Sequence, residues 1–235
     1  MSERLDKLLA GSGRYTRSEA KSVIAAGRVT VDGQTVVHPE TKVSRESLIL
    51  ADGRELDTAE FVYYMLHKPA GYVSATEDEL YPAVTRLFPK ELQARGIFPV
   101  GRLDADVTGL LLMTDDGGFA HKVISPRSET EKCYEAWLDS PLGAEDADIM
   151  ASGITLSDGT AYRPAKLEPD PEEPCHAWVT VTEGKYHEVK NLFAFCGHTV
   201  LCLKRISVGK LMLDADLPPC AFRRLSAQEI RLALE

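Results

Sequence analysis

The chain has 235 residues, 44% hydrophobic and 27% charged, with a formal net charge of −9, the make-up of one large or two smaller folded domains rather than of a disordered polymer. No apolar run approaches the ~20 residues of a membrane span, and the N-terminus lacks the charged-then-apolar layout of a secretory leader. The five cysteines (Cys133, Cys175, Cys196, Cys202 and Cys220) form no CxxC pair and the six histidines do not cluster, so neither a disulfide framework nor a zinc site is indicated and a reduced, cytoplasmic, metal-free protein is expected.

The first sixty residues form a unit of their own. Leu5, Leu8 and Leu9 make a short helical stripe that ends at Gly11-Ser12-Gly13. Thr16 and Glu19 have the spacing of a capping box, in which hydroxyl and carboxylate satisfy the free amides of a helix start. The helix after it carries Ala20, Val23 and Ile24 on one face, with Gly27 placed to cap its end. Val29–Val31, Asp32-Gly33 and Gln34–Val37 then read as a β-hairpin, because Asp-Gly favours the tight turn whose twist matches the strands. A further strand is expected at Leu48–Leu50, before Asp52-Gly53.

From residue 60 onward the pattern is mixed. Strands are expected at Phe61–Leu66, Gly109–Thr114, Lys132–Leu138, Ala161–Leu167, Ala177–Thr182 and Val200–Ile206, all rich in β-branched or aromatic residues. Helices are expected near Gly118–Ile124, Ala144–Met150, His187–Cys196 and Ala227–Leu234, the last opened by a second capping box, Ser226 with Glu229. Residues 168–174 read as a stiff acidic loop. Strands and helices do not alternate throughout, so the expected fold class is α+β, with a mixed or antiparallel sheet.

Charge is unevenly spread. Residues 1–30 hold six Lys and Arg against three acids, and residues 185–210 hold five against one, whereas residues 139–173 hold nine acids against two bases. Screening confines each charge to about 8 Å at physiological salt, so two basic patches can meet a polyanion although the whole chain is acidic.

One loop carries chemistry. Residues 101–117 read GRLDADVTGLLLMTDDG, which sets Asp104 in a glycine-flanked loop leading straight into an apolar strand, a reactive acid on a stiff support. This string resembles the catalytic motif of the pseudouridine synthases, and Gly101 points to the small-subunit rRNA pseudouridine synthase A family. His67-Lys68-Pro69-Ala70-Gly71 resembles the same family's N-K-P-x-G motif, Lys132-Cys133-Tyr134 its K-x-Y motif, and Glu183-Gly184-Lys185-Tyr186-His187-Glu188-Val189-Lys190 its EG-R/K-Y-H-Q-V-K/R helix start. The N-terminal layout, with Arg4-Leu5-Asp6-Lys7-Leu8-Leu9, Arg17-Ser18-Glu19-Ala20-Lys21 and Gly27-Arg28-Val29, resembles an S4 RNA-binding domain. A division into residues 1–58 and 59–235 is therefore expected.

The resemblance implies a cofactor-free isomerisation of a uridine in 16S rRNA, uridine 516 by family analogy. It implies Asp104 as nucleophile, Tyr134 stacking on a base flipped out of the RNA, and Lys190 as the fixed cation beside the aspartate. Arg102 matches the arginine that relatives insert into the vacated stack. Further RNA contacts are expected at Arg4, Lys7, Arg14, Arg17, Lys21, Arg28, Lys68, Lys185 and Lys204. The partner implied is ribosomal RNA, naked or in a pre-30S assembly intermediate, bound by a monomer away from any membrane. Alternatives are a 23S rRNA target, a non-catalytic S4-type ribosome-assembly protein, and a metal-dependent hydrolase built on Asp104, Asp106, Asp115 and Asp116. The chain departs from the family pattern at Glu188 (usually Gln), at Asn191 (usually basic) and at Cys220-Ala221-Phe222-Arg223 (commonly Gly-Glu-aromatic-Arg).

Overall fold

In the computed structural model, which describes residues 2–235, the chain divides into two compact units. The first runs to Val62 and takes in Phe88–Ile97, and the second comprises Tyr63–Leu87 and Phe98–Glu235.

The first unit contains β1 (Ser2–Arg4), α1 (Leu5–Gly11), α2 (Arg17–Ala25), β2 (Val29–Val31), β3 (Gln34–Thr35), β4 (Lys42–Ser44), β5 (Ile49–Ala51), β6 (Arg54–Glu55) and α3 (Lys90–Arg95). Leu5, Leu9, Ala20, Ile24, Val29 and Ile49 are all within 1% of full burial and form its core. Thr16 makes both capping-box bonds with Glu19. Asp32 and Gly33 both have positive φ (50° and 83°), as do Asp52 and Gly53 (53° and 72°), so each Asp-Gly pair turns one hairpin of the sheet β3-β2-β5-β6. Helix α3 was not expected from sequence, because none of its six residues is buried and no apolar stripe marks it. It comes close to the α1–α2 turn at Gly13, where a Cβ would lie 1.9 Å from the Glu91 carbonyl oxygen.

The second unit is built on a nine-stranded sheet. Its elements are β7 (Tyr63–Lys68), a 3-10 turn at Val84–Leu87, β8 (Phe98–Val100), β9 (Thr108–Thr114), α4 (Gly117–Ile124), β10 (Lys132–Leu138), α5 (Asp146–Ala151), β11 (Ile154–Thr155), β12 (Ala161–Tyr162), β13 (Lys166–Pro169), β14 (His176–Val181), α6 (Glu188–Phe195), β15 (Val200–Val208), β16 (Leu211–Met212), β17 (Phe222–Arg224) and α7 (Ala227–Leu232). The strand order is β13-β14-β10-β15-β9-β7-β17, with β8 against β9 and β16 against β15. Among the described strands of this sheet the β15–β9 pair is parallel and the others antiparallel, so the sheet is mixed and the class α+β.

The single strand expected over Ala161–Leu167 is two strands. Pro164 cannot donate to a ladder, and the chain breaks there, giving β12, which pairs with β11, and β13, which joins the main sheet. At the centre, Leu110, Leu111 and Leu112 of β9 are 0%, 0% and 1% exposed. Both faces of the strand are covered, each leucine contributing about 1.5–3 kcal/mol by burial. Gly109 is required here. At φ +103° it faces the β15 backbone, and a Cβ would sit 2.2 Å from the Arg205 carbonyl oxygen. Among the described residues no helix is long and apolar enough to cross a membrane.

Candidate active site

Asp104 lies between β8 and β9, in a loop held from two sides. The Ser74 hydroxyl donates to the Leu103 carbonyl (2.8 Å) and accepts from the Leu103 amide (2.9 Å). Lys68 Nζ donates to the carbonyls of Asp104 (3.0 Å), Ala105 (3.3 Å), Val107 (2.7 Å) and Pro69 (3.0 Å). The Gly71 amide adds a bond to Ala105 (2.7 Å). Lys68 is 0% exposed, which corrects its expected role as an RNA contact: the ammonium is an internal staple that fixes the loop by its carbonyls. Burial drives this amine down from the ordinary lysine range to about 8, against the pull of Asp106 and Asp104.

The carboxylate of Asp104 is left for other partners. Its Oδ2 lies 3.3 Å from Lys190 Nζ and 3.4 Å from His187 Nε2, so the structure brings Asp104 and Lys190 together. Lys190 is shared, however, and its shorter bonds go to Asp106 (2.8 and 2.9 Å). Burial acts to raise the Asp106 carboxyl, but the bond and charge of Lys190 outweigh it and hold the group below the usual carboxylate range. Burial likewise opposes charge on Lys190, yet the two carboxylates raise its amine above the ordinary lysine value.

His187 was not singled out in the sequence. It reaches Asp104 because its backbone is left-handed (φ 52°) at the start of α6, with the ring stacked on Tyr186 at 3.7 Å. Its place in the EGKYHEVK string was the only available signal, since a residue's reach across a helix start depends on a φ that the sequence does not reveal.

Tyr134, on β10, is 8% exposed and lines the same cleft as Asp104, Arg102, His187 and Lys190. The cavity volume is about 150 Å³, below the ~300 Å³ at the small end of drug-sized pockets, and suits one flat ring system. Arg102 stands exposed at this cleft. Glu188 also lines it but is 4% exposed and accepts from the Lys185 amide (3.1 Å) at the start of its own helix. Burial pushes the Glu188 carboxyl up, so this departure from glutamine faces inward rather than lowering the charge of an open surface. Asn191 donates to the Tyr162 hydroxyl (2.7 Å), a structural contact. Arg223 bridges Asp214 (2.5 Å) and Glu229 (2.7 Å), holding the Glu229 carboxyl at about 2.

Other expected RNA contacts are placed as follows. Lys185 is engaged with Glu183 (3.1 Å) and the Ala161 carbonyl (2.6 Å). Lys204 is corrected: Leu203 lines the Asp104 cleft, and the next residue of the strand points to the opposite face, where Lys204 lies beside Glu135 and Trp178. In the first unit Arg4 pairs with Asp6 (2.8 Å), Lys7 with Glu3, and Arg28 with Asp52 (2.5 Å), while Arg14 donates to the carbonyls of Arg54 and Glu55. Arg17 and Lys21 are exposed on α2, and among the described residues neither has an ion-pair partner. The carboxylates of the hydrolase reading do not meet. Asp104 and Asp106 precede β9 and Asp116 follows it, so the seven residues of the strand separate them by roughly 20 Å. Asp116 accepts from the amides of Gly118 and Phe119 as the cap of α4.

The RNA pseudouridylate synthase family signature matches residues 62–195, more than half of the chain, and an S4 domain signature matches residues 3–49. The chain belongs to the RNA pseudouridylate synthase family. This synthase is 40% identical over 229 residues to the ribosomal small subunit pseudouridine synthase A of Escherichia coli K12, covering 97% of this chain and 98% of the relative. It is 39% identical over 235 residues to an uncharacterised RNA pseudouridine synthase of Bacillus subtilis, covering 99% and 98%. A crystal structure of a pseudouridylate synthase matches with a TM-score of 0.70 at 35% identity, over 98% of this chain and 99% of that one. The synthase signature spans the Asp104 loop, Tyr134 and the start of α6, so the cleft falls within the family's own segment of the chain.

Proposed function

We propose that this synthase isomerises one uridine of small-subunit ribosomal RNA, uridine 516 of 16S rRNA by family analogy, with Asp104 as nucleophile. The substrate class rests on the likeness to small-subunit enzymes, which runs through both the S4 and the synthase segments. The observation that carries the chemistry is Asp104 itself, a carboxylate on a loop whose backbone is tied down, with its Oδ2 beside Lys190 and His187 in a cleft lined by Tyr134.

The reaction breaks the N1–C1′ bond, turns the base and rejoins it through C5; C5 loses a proton, N1 gains one, and no atom is otherwise exchanged. The uridine leaves the RNA stack at a cost of a few kcal/mol, offset by stacking on Tyr134, worth about 1–3 kcal/mol. Arg102, exposed at the cleft, has the flat cation suited to fill the vacated space. In the cleft so formed, Lys190 faces the Asp104 carboxylate; the carboxylate attacks C1′ as N1 leaves, and C5 of the turned base then displaces it from C1′. Exposed Arg17 and Lys21 on α2 supply phosphate contacts from the S4 segment. The enzyme works in the cytoplasm as a monomer, on rRNA naked or within a pre-30S particle.

Mapping pseudouridine along the ribosomal RNA of cells with and without the protein tests this reading. One small-subunit pseudouridine disappears with the protein and returns with the wild-type chain. Loss of a large-subunit pseudouridine instead, or of none, overturns it.

A further inference from the structure

A second, smaller cavity of about 80 Å³ shares Arg102, Tyr134 and Gly184 with the Asp104 cleft and reaches down to Lys132 and Arg205. Both of these cations are sequestered, Lys132 at 9% exposure and Arg205 at 3%. Arg205 Nε donates to the Leu110 carbonyl (2.8 Å), and its guanidinium lies 6.0 Å from the Tyr134 ring centre. Those contacts account for one edge and one face of the group. Nη2 is buried and has no hydrogen-bond partner. Lys132 Nζ has one bond, to the Thr130 carbonyl (2.7 Å).

Among the described residues the one acid lining this cavity, Glu183, is already matched by Arg163 (3.2 Å) and Lys185 (3.1 Å). Two buried charges of one sign are thus set side by side, and among the described residues no unpaired acid lines the cavity itself, although Glu188 of the neighbouring cleft acts on Lys132; the arrangement disfavours the isolated fold and favours an anion that enters. Burial, then the charge of Arg205, drives the Lys132 amine down to about 8, against the pull of Glu188. A tetrahedral oxyanion has acceptors enough for Nη2 and Nζ together, and arginine's fixed fork matches phosphate geometry. The cavity adjoins the base cleft at Tyr134, so a nucleotide with its ring against Tyr134 has its own phosphates within one sugar's width.

We propose that the Lys132–Arg205 cavity is an oxyanion subsite that takes a backbone phosphate of the RNA next to the flipped uridine, an assignment that rests on the synthase reading above. A phosphate bound there anchors the nucleotide from behind while Tyr134 and Asp104 work on its base and sugar. Arg205 and Lys132 are binding residues in this account.

The test uses the full-length protein and a small-subunit rRNA fragment containing the target uridine. Linkages flanking that uridine are replaced one at a time by uncharged methylphosphonate, and affinity is measured at constant ionic strength. One replacement weakens binding to the wild-type protein about tenfold. Lys132→Met and Arg205→Met each weaken binding of the unmodified RNA by a similar factor, flatten the slope of log affinity against log salt by about 0.7, and lose no more when that linkage is neutralised. The methylphosphonate arm needs no mutant, so a variant that fails to fold leaves the test intact. Additive losses, or equal affinity for every modified RNA, overturn the subsite. In the absence of RNA, inorganic phosphate raises the thermal midpoint of the wild-type protein and not of Lys132→Met. Phosphate protection without any linkage effect marks a site for a free anion and overturns the RNA assignment. Pseudouridine formation is scored in the same fragment, so a wild-type protein that modifies it yet is indifferent to every linkage refutes the subsite and spares the function.

Discussion

The two ends of β9 both carry aspartate in a loop, and the contrast between them separates a structural acid from the one proposed as nucleophile. At the far end, Asp116 accepts from the Gly118 and Phe119 amides and from the Tyr63 hydroxyl (2.7 Å). Those bonds hold its carboxyl below the ordinary range although burial pushes it up, and they engage both of its oxygens. At the near end it is the backbone of residues 103–107 that is tied down, by Ser74, Lys68 and Gly71. Among the described residues the Asp104 carboxylate meets the tips of Lys190 and His187, at 3.3 and 3.4 Å. An acid whose oxygens hold a helix start is unavailable for chemistry, whereas one whose backbone is held leaves its oxygens free to react.

Exchanging the two acids for neutral residues breaks the comparison most sharply. Asp104→Asn is expected to lose at least about 10⁴-fold in kcat with an unchanged thermal midpoint, because the near-isosteric amide is not a nucleophile. Asp116→Ala is expected to keep kcat within about threefold and to lose about 1–2 kcal/mol of stability with the helix cap. Steady-state kinetics and denaturant unfolding of the pair check both halves, and a reversal of the two phenotypes contradicts the assignment.

A smaller effect is expected when the shared cation is removed. Lys190→Met should lower kcat by about 10²-fold while changing RNA affinity less than threefold, since Lys190 serves two carboxylates rather than a phosphate. Restoring the charge as Lys190→Arg should recover part of kcat. A mutant that binds RNA poorly but turns over at the normal rate shows the cation to be a phosphate contact instead.

The staple under the loop gives a pH signature. Lys68 is charged below about 8 and loses its proton above, so the neutral amine gives up one of its N–H donors to the loop carbonyls as pH rises. Activity should therefore fall severalfold between pH 7 and 9.5, with a midpoint near 8, and far-UV circular dichroism should stay constant. A flat pH–rate profile over that window removes Lys68 as the element that keeps the near end rigid.

The smallest change expected is at the S4 surface. Arg17→Ala with Lys21→Ala should flatten the slope of log affinity against log salt by about 1.4, two contacts at roughly 0.7 each for single-stranded RNA, and leave single-turnover rates on saturating RNA unaltered. An unchanged slope excludes α2 as an RNA-facing element.

Much of this was legible before the structure. Asp-Gly pairs and the two capping boxes encode local geometry in two to four adjacent residues, so the S4 hairpins and the starts of α2 and α7 follow from sequence. Asp104 is marked by the string around it. What stayed hidden depends on where chains meet. Lys68 read as an RNA contact because a lysine's burial is decided by the carbonyls that a distant loop brings to it. Lys204 read the same way because its face of the sheet is set by strand register, and a shift of one residue reverses it. His187 turns on one left-handed residue, and α3 on a backbone contact at Gly13 rather than on an apolar stripe.

The most direct test of the reactive end is single-turnover release of tritium from small-subunit rRNA transcribed with [5-³H]uridine, in which each rearrangement frees the label at one C5. The account predicts one equivalent per RNA from the wild-type protein and from Asp116→Ala. It predicts no release above background from Asp104→Asn, although that variant binds the same RNA with wild-type affinity. Release by Asp104→Asn at a rate within tenfold of wild type would contradict the account.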